Sequence, residues 1–196
     1  MQTPIKLGWI GTGRMGYAMA ERLAKGGCDL AVWNRTKAKA DPLSKYGAKV
    51  VNQLEELSTK DILFVMVSTY EDVKEVIGKA LAKGKPKMVV ECSSISLEGS
   101  AELRKMLQAK GVEYLAAPVS GNAKVIKAGK LTFVVSGPKA SISLAKPAAW
   151  ALGSAAATLS VLMPGLSSSI ALSIHSRAFL YAVRCGPVAR PTLNVR

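Results

Sequence analysis

Residues 5–10 form a short apolar run that ends in glycine, as a strand buried on both faces would. From residue 14 to 25 the apolar period changes. Met15, Ala18, Met19, Ala20 and Leu23 fall on one helical face, and Gly26-Gly27 stops the helix. Residues 29–33, DLAVW, read as a second strand and close a strand–helix–strand unit. The same alternation continues. Thr36 caps an expected helix through about Lys45, with strands expected at 48–51 and, as the continuous run DILFVMV, at 61–67. A helix over 70–82, a strand at 87–90 and an amphipathic helix over 97–110 ended by Gly111 follow, then strands at 112–116 and 131–135. Strands alternating with helices at these lengths predict an α/β fold built on a doubly wound, mostly parallel sheet.

Composition agrees with a packed core: the 196 residues are 49% hydrophobic and 20% charged. Cys28, Cys92 and Cys185 are far apart and lack neighbouring His/Cys spacing, so they read as reduced thiols and no metal site is expected. The N-terminus has no basic stretch leading into an apolar signal core, which makes cytoplasm the expected address. Charge is unevenly spread. All 13 acidic residues lie at or before Glu113, leaving the rest of the chain with only basic charge and a formal net charge of +14 overall.

The candidate chemistry begins at Gly11-Thr12-Gly13-Arg14-Met15-Gly16. In this G-x-G-x-x-G the first glycine permits a tight turn and the second lets backbone approach a pyrophosphate. The third lets helix and strand pack closely. A glycine-rich turn alone is weak evidence, but here it joins a strand to a helix, as a Rossmann dinucleotide site requires. The helix N-terminus then offers free N–H groups to the phosphates. At the end of the second strand, where an NAD site usually carries Asp or Glu, the chain has Asn34-Arg35-Thr36. A guanidinium fork and a hydroxyl suit a 2′-phosphate, with no carboxylate at that position to repel it, so NADP is expected over NAD.

The stretch GWIGTGRMGYAMAERLAKGGCDLAVWNRTKAKA resembles the N-terminal signature of the 3-hydroxyacid dehydrogenases. That group contains 3-hydroxyisobutyrate dehydrogenase, tartronate semialdehyde reductase, the glyoxylate/succinic semialdehyde reductases and, more remotely, 6-phosphogluconate dehydrogenase. ECSSIS, residues 91–96, resembles the family's D-x-S-T-I-S segment, and AAPVSGNAKVIKAGKLTFVVSG, residues 116–137, its D-A-P-V-S-G-G loop. The resemblance covers about residues 5–140 and implies hydride transfer between NADPH and a short 3-hydroxy acid or its semialdehyde. It implies that Gly11, Thr12, Gly13, Arg14, Met15 and Gly16 hold pyrophosphate, and that Asn34, Arg35 and Thr36 hold the 2′-phosphate end. Val67, Ser68 and Thr69 would line the adenine-side ribose and pyrophosphate, and Ser94 would stand by the nicotinamide ribose. Ser120 would act in catalysis and, with Gly121 and Asn122, bind the substrate acid. Ala116 replaces that loop's usual acidic residue and Asn122 its second glycine. On the residues alone, Ser120 is as much a helix cap as a ligand. No glycine stands two positions before it, so it is not a nucleophile elbow, and the single His175 has no acid or metal partner near it in sequence.

Family members carry a helical second domain with a G-x-x-G-x-G-x-x-x-K-x-x-N segment, whose lysine moves the alcohol proton and whose surface forms much of the dimer. No such segment occurs in these 196 residues. This leaves an alternative function, an NADP-binding module without turnover. Residues 1–140 are expected to form the nucleotide domain, and 141–196, rich in Ala and Ser, an atypical tail. Three readings of the tail stand open: a truncated or frame-shifted end, a membrane anchor over the uncharged residues 148–174, or a helical pair that docks on the domain or on another subunit. A membrane span fits poorly with Pro164-Gly165 in its middle. Arg177, Arg184, Arg190 and Arg196 are too dispersed for a nucleic-acid patch, so the expected partner is a small hydroxy acid or semialdehyde, with a homo-oligomer possible.

Overall fold

In the computed structural model, which describes residues 5–152 and 160–161, the apolar runs of the first 116 residues align as one parallel sheet. In chain order its strands and helices are β1 (Lys6–Ile10), α1 (Arg14–Lys25), β2 (Asp29–Trp33), β3 (Lys49–Val50), β4 (Ile62–Val65), α2 (Tyr70–Ala80), β5 (Met88–Glu91), α3 (Leu97–Ala109) and β6 (Glu113–Ala116). Spatially the order is β3-β2-β1-β4-β5-β6, every pair parallel. That order reverses direction between β1 and β4, and a doubly wound sheet leaves its crevice at the carboxyl ends of such strands.

Both faces of the sheet are covered, which is why its strands read as continuous apolar runs. Ile62 and Phe64 of β4 join a core with Met19 and Leu23 of α1, while Leu63 and Val65 join a second core with Val73 and Ile77 of α2 and Leu103 and Leu107 of α3. Trp9 of β1 stacks on Phe64 with ring centroids 5.5 Å apart.

The helix expected over 36–45 is replaced by two 3-10 turns, Lys37–Lys39 and Asp41–Tyr46. Pro42 removes a backbone donor and disfavours the helical conformation at Asp41, so an α-helix cannot run through. Thr36 precedes the first turn without capping it through its side chain. The strand expected at 131–135 forms, but outside the large parallel sheet. It forms β8 (Thr132–Val135), in a small sheet with β7 (Val119–Ser120), antiparallel to it, and β9 (Ser160–Val161), parallel to it. Between β7 and β8 runs α4 (Ala123–Lys127), a short helix not among the expected elements. Among the described residues one antiparallel bridge, Ala116 to Ser136, ties the two sheets together.

After β8, α5 (Lys139–Leu152) runs across residue 140, where the tail was expected to begin. Ile142, Ala145, Ala148 and Leu152 repeat at helical spacing and are buried with α1 and α4 residues. The Ser141 hydroxyl donates to Glu113 Oε2 at 2.7 Å, fastening the helix to the start of β6. No helix among the described residues is long and apolar enough to cross a membrane. The expectations for residues 153–159 and 162–196, including most of the span 148–174, His175 and Cys185, lie outside the described residues.

Candidate functional site

Gly11 has φ +97°, and a Cβ there would run into the Met66 carbonyl. A Cβ at Gly16 would run into the Gly11 carbonyl. These two glycines are therefore demanded by the protein's own packing. Gly13 differs. Its backbone is extended, and a Cβ there would meet nothing within 4 Å, although the residue lines a cleft of about 420 Å³.

Several bonds hold the turn. Trp9 Nε1–H donates to the Gly11 carbonyl at 2.7 Å, and Gly11 N–H donates to the Trp33 carbonyl at 3.0 Å. The Thr12 N–H donates to Asn34 Oδ1 at 2.8 Å, and Asn34 Nδ2 donates to the Thr36 carbonyl at 2.9 Å. Asn34 thereby clasps the glycine turn to the end of β2. Thr12 is buried behind the turn and is not among the cleft-lining residues, and its hydroxyl has no partner among the described residues.

α1 begins at this turn with no side-chain cap and no acidic residue in its first turn. Its first N–H groups and its positive dipole end are thus left for an anion, and Arg14 adds a guanidinium on the cleft wall. The open space at Gly13 and the uncapped helix end fit a pyrophosphate.

Of the residues expected to bind a cofactor, Gly11, Gly13, Arg14, Met15, Gly16, Asn34, Arg35, Thr36, Val67 and Ser68 line this cleft. Thr69 instead caps α2, its hydroxyl oxygen accepting from the Asp72 N–H at 3.1 Å. Lys39, Trp33, Met66, Asp72 and Val76 also line the cleft and were missed. Lys39 lies four residues beyond Arg35, a signal that the expected helix over 36–45 obscured. Asp72 had no local signal, being brought in by α2 from the far side of β4. Its Oδ1 accepts from Arg35 Nη2 at 2.6 Å, so the end of β2 does face a carboxylate, contrary to the reading of that segment alone.

Farther along the same sheet edge, Glu91 ends β5 and is 1% exposed. Its Oε1 accepts from the Ser93 N–H, and the Ser93 Oγ accepts from the Val67 N–H at 3.0 Å. Burial pushes the Glu91 carboxyl up to about 7, against the opposing pull of Ser93. This chain of bonds joins the ends of β4 and β5 and sets the turn carrying Ser94, which is exposed and outside the cleft lining.

Ser120 ends β7, with Gly121 and Asn122 following it, and all three are exposed; none of them lines the cleft. Gly121 has φ +145°. The Asn122 side-chain oxygen accepts from the N–H groups of Lys124 and Val125, which makes it the cap of α4. That oxygen is committed to the helix, so Asn122 has only its side-chain amide donors and backbone to offer a substrate. Ser120 makes no capping bond to α4 among those described, where Asn122 fills the position.

Residues 6–163 match the family model described as the NAD binding domain of 6-phosphogluconate dehydrogenase. The chain is 36% identical over 148 residues to glyoxylate/succinic semialdehyde reductase 2, chloroplastic, of Arabidopsis thaliana, covering 73% of this chain and 41% of that protein. It is 32% identical over 142 residues to human cytokine-like nuclear factor N-PAC, covering 70% and 26%. Among solved structures, 3-hydroxyisobutyrate dehydrogenase of Mycobacterium tuberculosis with L-serine superposes with a TM-score of 0.73 at 25% identity, over 77% of this chain and 53% of that one. An imine reductase from Myxococcus stipitatus in complex with NADP+ does so with a TM-score of 0.73 at 27% identity, over 80% and 54%. The chain thus spans well under two thirds of the relatives it matches.

Proposed function

The chain belongs to the family of the 6-phosphogluconate dehydrogenase NAD-binding domain, among the 3-hydroxyacid dehydrogenases, and on that premise we propose that it binds NADP in the cleft at Gly11–Gly16 to serve the reduction of a short semialdehyde or the oxidation of the matching 3-hydroxy acid. The observation that carries the reading is one cleft that joins an uncapped helix N-terminus to Arg35, Thr36 and Lys39. The first suits a pyrophosphate and the second group a 2′-phosphate.

Bound nicotinamide supplies the hydride. This chain's residues would do the binding and aiming. Gly13, Arg14 and the first N–H groups of α1 hold the pyrophosphate, and Trp33, Met66 and Val76 give apolar wall. Val67 and Ser68, just past the end of β4, line the cleft and would contact the adenine-side ribose and pyrophosphate. Ser94, on a turn fixed by Glu91 and Ser93, would stand by the nicotinamide ribose, as the family resemblance implies. Ser120 and the Gly121 N–H orient the acid group of the substrate from the neighbouring strand end. The lysine that the resemblance assigns to proton transfer is not among these 196 residues, so the work proposed for this chain is binding and orientation.

Fluorescence titration of the chain with NADPH and with NADH tests the reading. Saturable binding that favours NADPH, with the preference reduced in Arg35→Ala, is the expected result. No binding of either nucleotide sinks it.

A further inference from the structure

Arg35 does not stand free in the cleft. Its Nη2 donates to Asp72 Oδ1 at 2.6 Å, and Glu75 Oε2 lies 4.0 Å away. Both carboxylates come from α2, in its first turn and one turn later. Asp72 is itself held in place: the Thr69 hydroxyl donates to Asp72 Oδ2 at 3.2 Å, and the Asp72 N–H donates back to the same hydroxyl oxygen. Its side chain is 25% exposed, against 68% for Arg35, so the carboxylate is the more enclosed of the two partners. The guanidinium keeps the Asp72 carboxyl below the usual carboxylate range, so it is ionised at neutral pH. Glu75 is also paired with Lys79 at 2.6 Å, whereas among the described ion pairs Asp72 has Arg35 as its one cation.

We propose that Asp72 is a specificity-determining residue of the cofactor cleft: by neutralising Arg35 it narrows the preference for a 2′-phosphorylated nicotinamide dinucleotide, so that the chain accepts both NADPH and NADH. The inference rests on the reading that Arg35 faces the 2′-phosphate. A phosphate monoester carries nearly two negative charges at neutral pH, so it meets Asp72 both as a repelling charge and as a competitor for the same Nη2 donor. A ribose 2′-hydroxyl has no charge to repel. Anchoring by Asp72 also spares some Arg35 side-chain entropy, which would favour phosphate binding. In Asp72→Asn the side-chain oxygen can still accept from the guanidinium and Glu75 still lies 4.0 Å from it, so part of that saving is kept. The repulsion therefore decides the sign.

The test titrates the full chain with NADPH and NADH and compares Asp72→Asn, Asp72→Glu, Glu75→Gln and Arg35→Ala. Asp72→Asn is expected to tighten NADPH by about three- to tenfold, as loss of one charge near a dianion at a partly exposed site predicts, with NADH nearly unchanged. Asp72→Glu, which keeps the charge, leaves the ratio of the two affinities near that of the unaltered chain, and Glu75→Gln raises it less than Asp72→Asn. An unchanged or reduced ratio in Asp72→Asn, while Arg35→Ala still lowers it, overturns the proposal and leaves the cofactor reading standing. A rise of equal size in Asp72→Glu also overturns it, since charge would not be the cause. If Arg35→Ala leaves the ratio of the unaltered chain as it is, the reading of Arg35 fails and the proposal falls with it.

Discussion

The Thr12 N–H donates to Asn34 Oδ1 at 2.8 Å, joining the glycine turn after β1 to the segment that ends β2. Asn34 sits between the two halves of the cleft without belonging to the charge of either. Asn34→Ala leaves the Thr12 N–H and the Thr36 carbonyl without their partner, at a cost of about 1–3 kcal/mol for an unsatisfied, part-buried group. Both nucleotides are expected to bind roughly tenfold more weakly, with their ratio unchanged. Paired titrations check this, and a selective loss of NADPH would mean that Asn34 touches the 2′-phosphate itself.

Gly13 and Gly16 are predicted to fail in different ways. Gly16→Ala pushes a Cβ into the Gly11 carbonyl and should cost about 1–3 kcal/mol of stability, as overpacking does. Gly13→Ala meets no protein atom and keeps an extended backbone that alanine adopts freely, so its stability should change by no more than about 0.5 kcal/mol. Its nucleotide affinity should nonetheless fall about tenfold or more, because the added methyl occupies the space kept for the pyrophosphate. Urea melts and titrations on the two variants separate fold from ligand. Unimpaired binding by Gly13→Ala would remove the pyrophosphate from that position.

Such contrasts mark where the sequence was readable. The turn from β1 through α1 to β2 was legible because its signals are local: an apolar run, three glycines at fixed spacing and a helical stripe. The sheet's parallel order followed from continuous apolar runs such as ILFV in β4, buried on both faces. β7 was missed because its two residues offer no period, and α4 because five residues, with Ala123, Val125 and Ile126 apolar, are too few to show one. α5 was hidden by Ala/Ser-rich composition, although Ile142, Ala145, Ala148 and Leu152 keep helical spacing. Asp72 could not be seen at all. Nothing in STYEDV indicates that its carboxylate meets a guanidinium 37 residues earlier; the crossover from β3 to β4, which α2 follows, brings them together.

Glu91 makes stability depend on pH in the direction opposite to an ion-paired carboxylate. Burial raises its folded value to about 7, so the folded chain holds the proton more tightly than the unfolded one. The contribution is fully present below the unfolded carboxyl's range near ~4.3 and is lost as pH rises through about 7. Glu91→Gln keeps an oxygen to accept the Ser93 N–H but has no proton to lose. It should be more stable than the unaltered chain by up to about 3 kcal/mol at pH 8, with the advantage fading by pH 5. Urea unfolding across that interval reads the difference directly. An advantage that does not vary with pH would assign the effect to packing instead of ionisation.

Leu152 is 0% exposed at the last position of α5, beyond the motifs that carried the family resemblance but inside the 6–163 span of the family match. If the segment after residue 140 were chain appended without selection for packing, its apolar residues would have no reason to return to one face. They do return, and Ile142, Ala145, Ala148 and Leu152 share a core with Met19 and Leu23 of α1 and Ile126 of α4. Leu152→Ala should therefore cost about 2–5 kcal/mol, the range for truncating a buried leucine, which is a large part of a domain's stability. Every cleft-lining residue lies between Gly11 and Val76, so NADPH affinity of the folded fraction should stay within about twofold, as expected for a distant independent site. Urea melts combined with titration at low denaturant check both halves. A cost under about 0.5 kcal/mol would detach the helix's end from the core and return the residues after 140 to an appended tail.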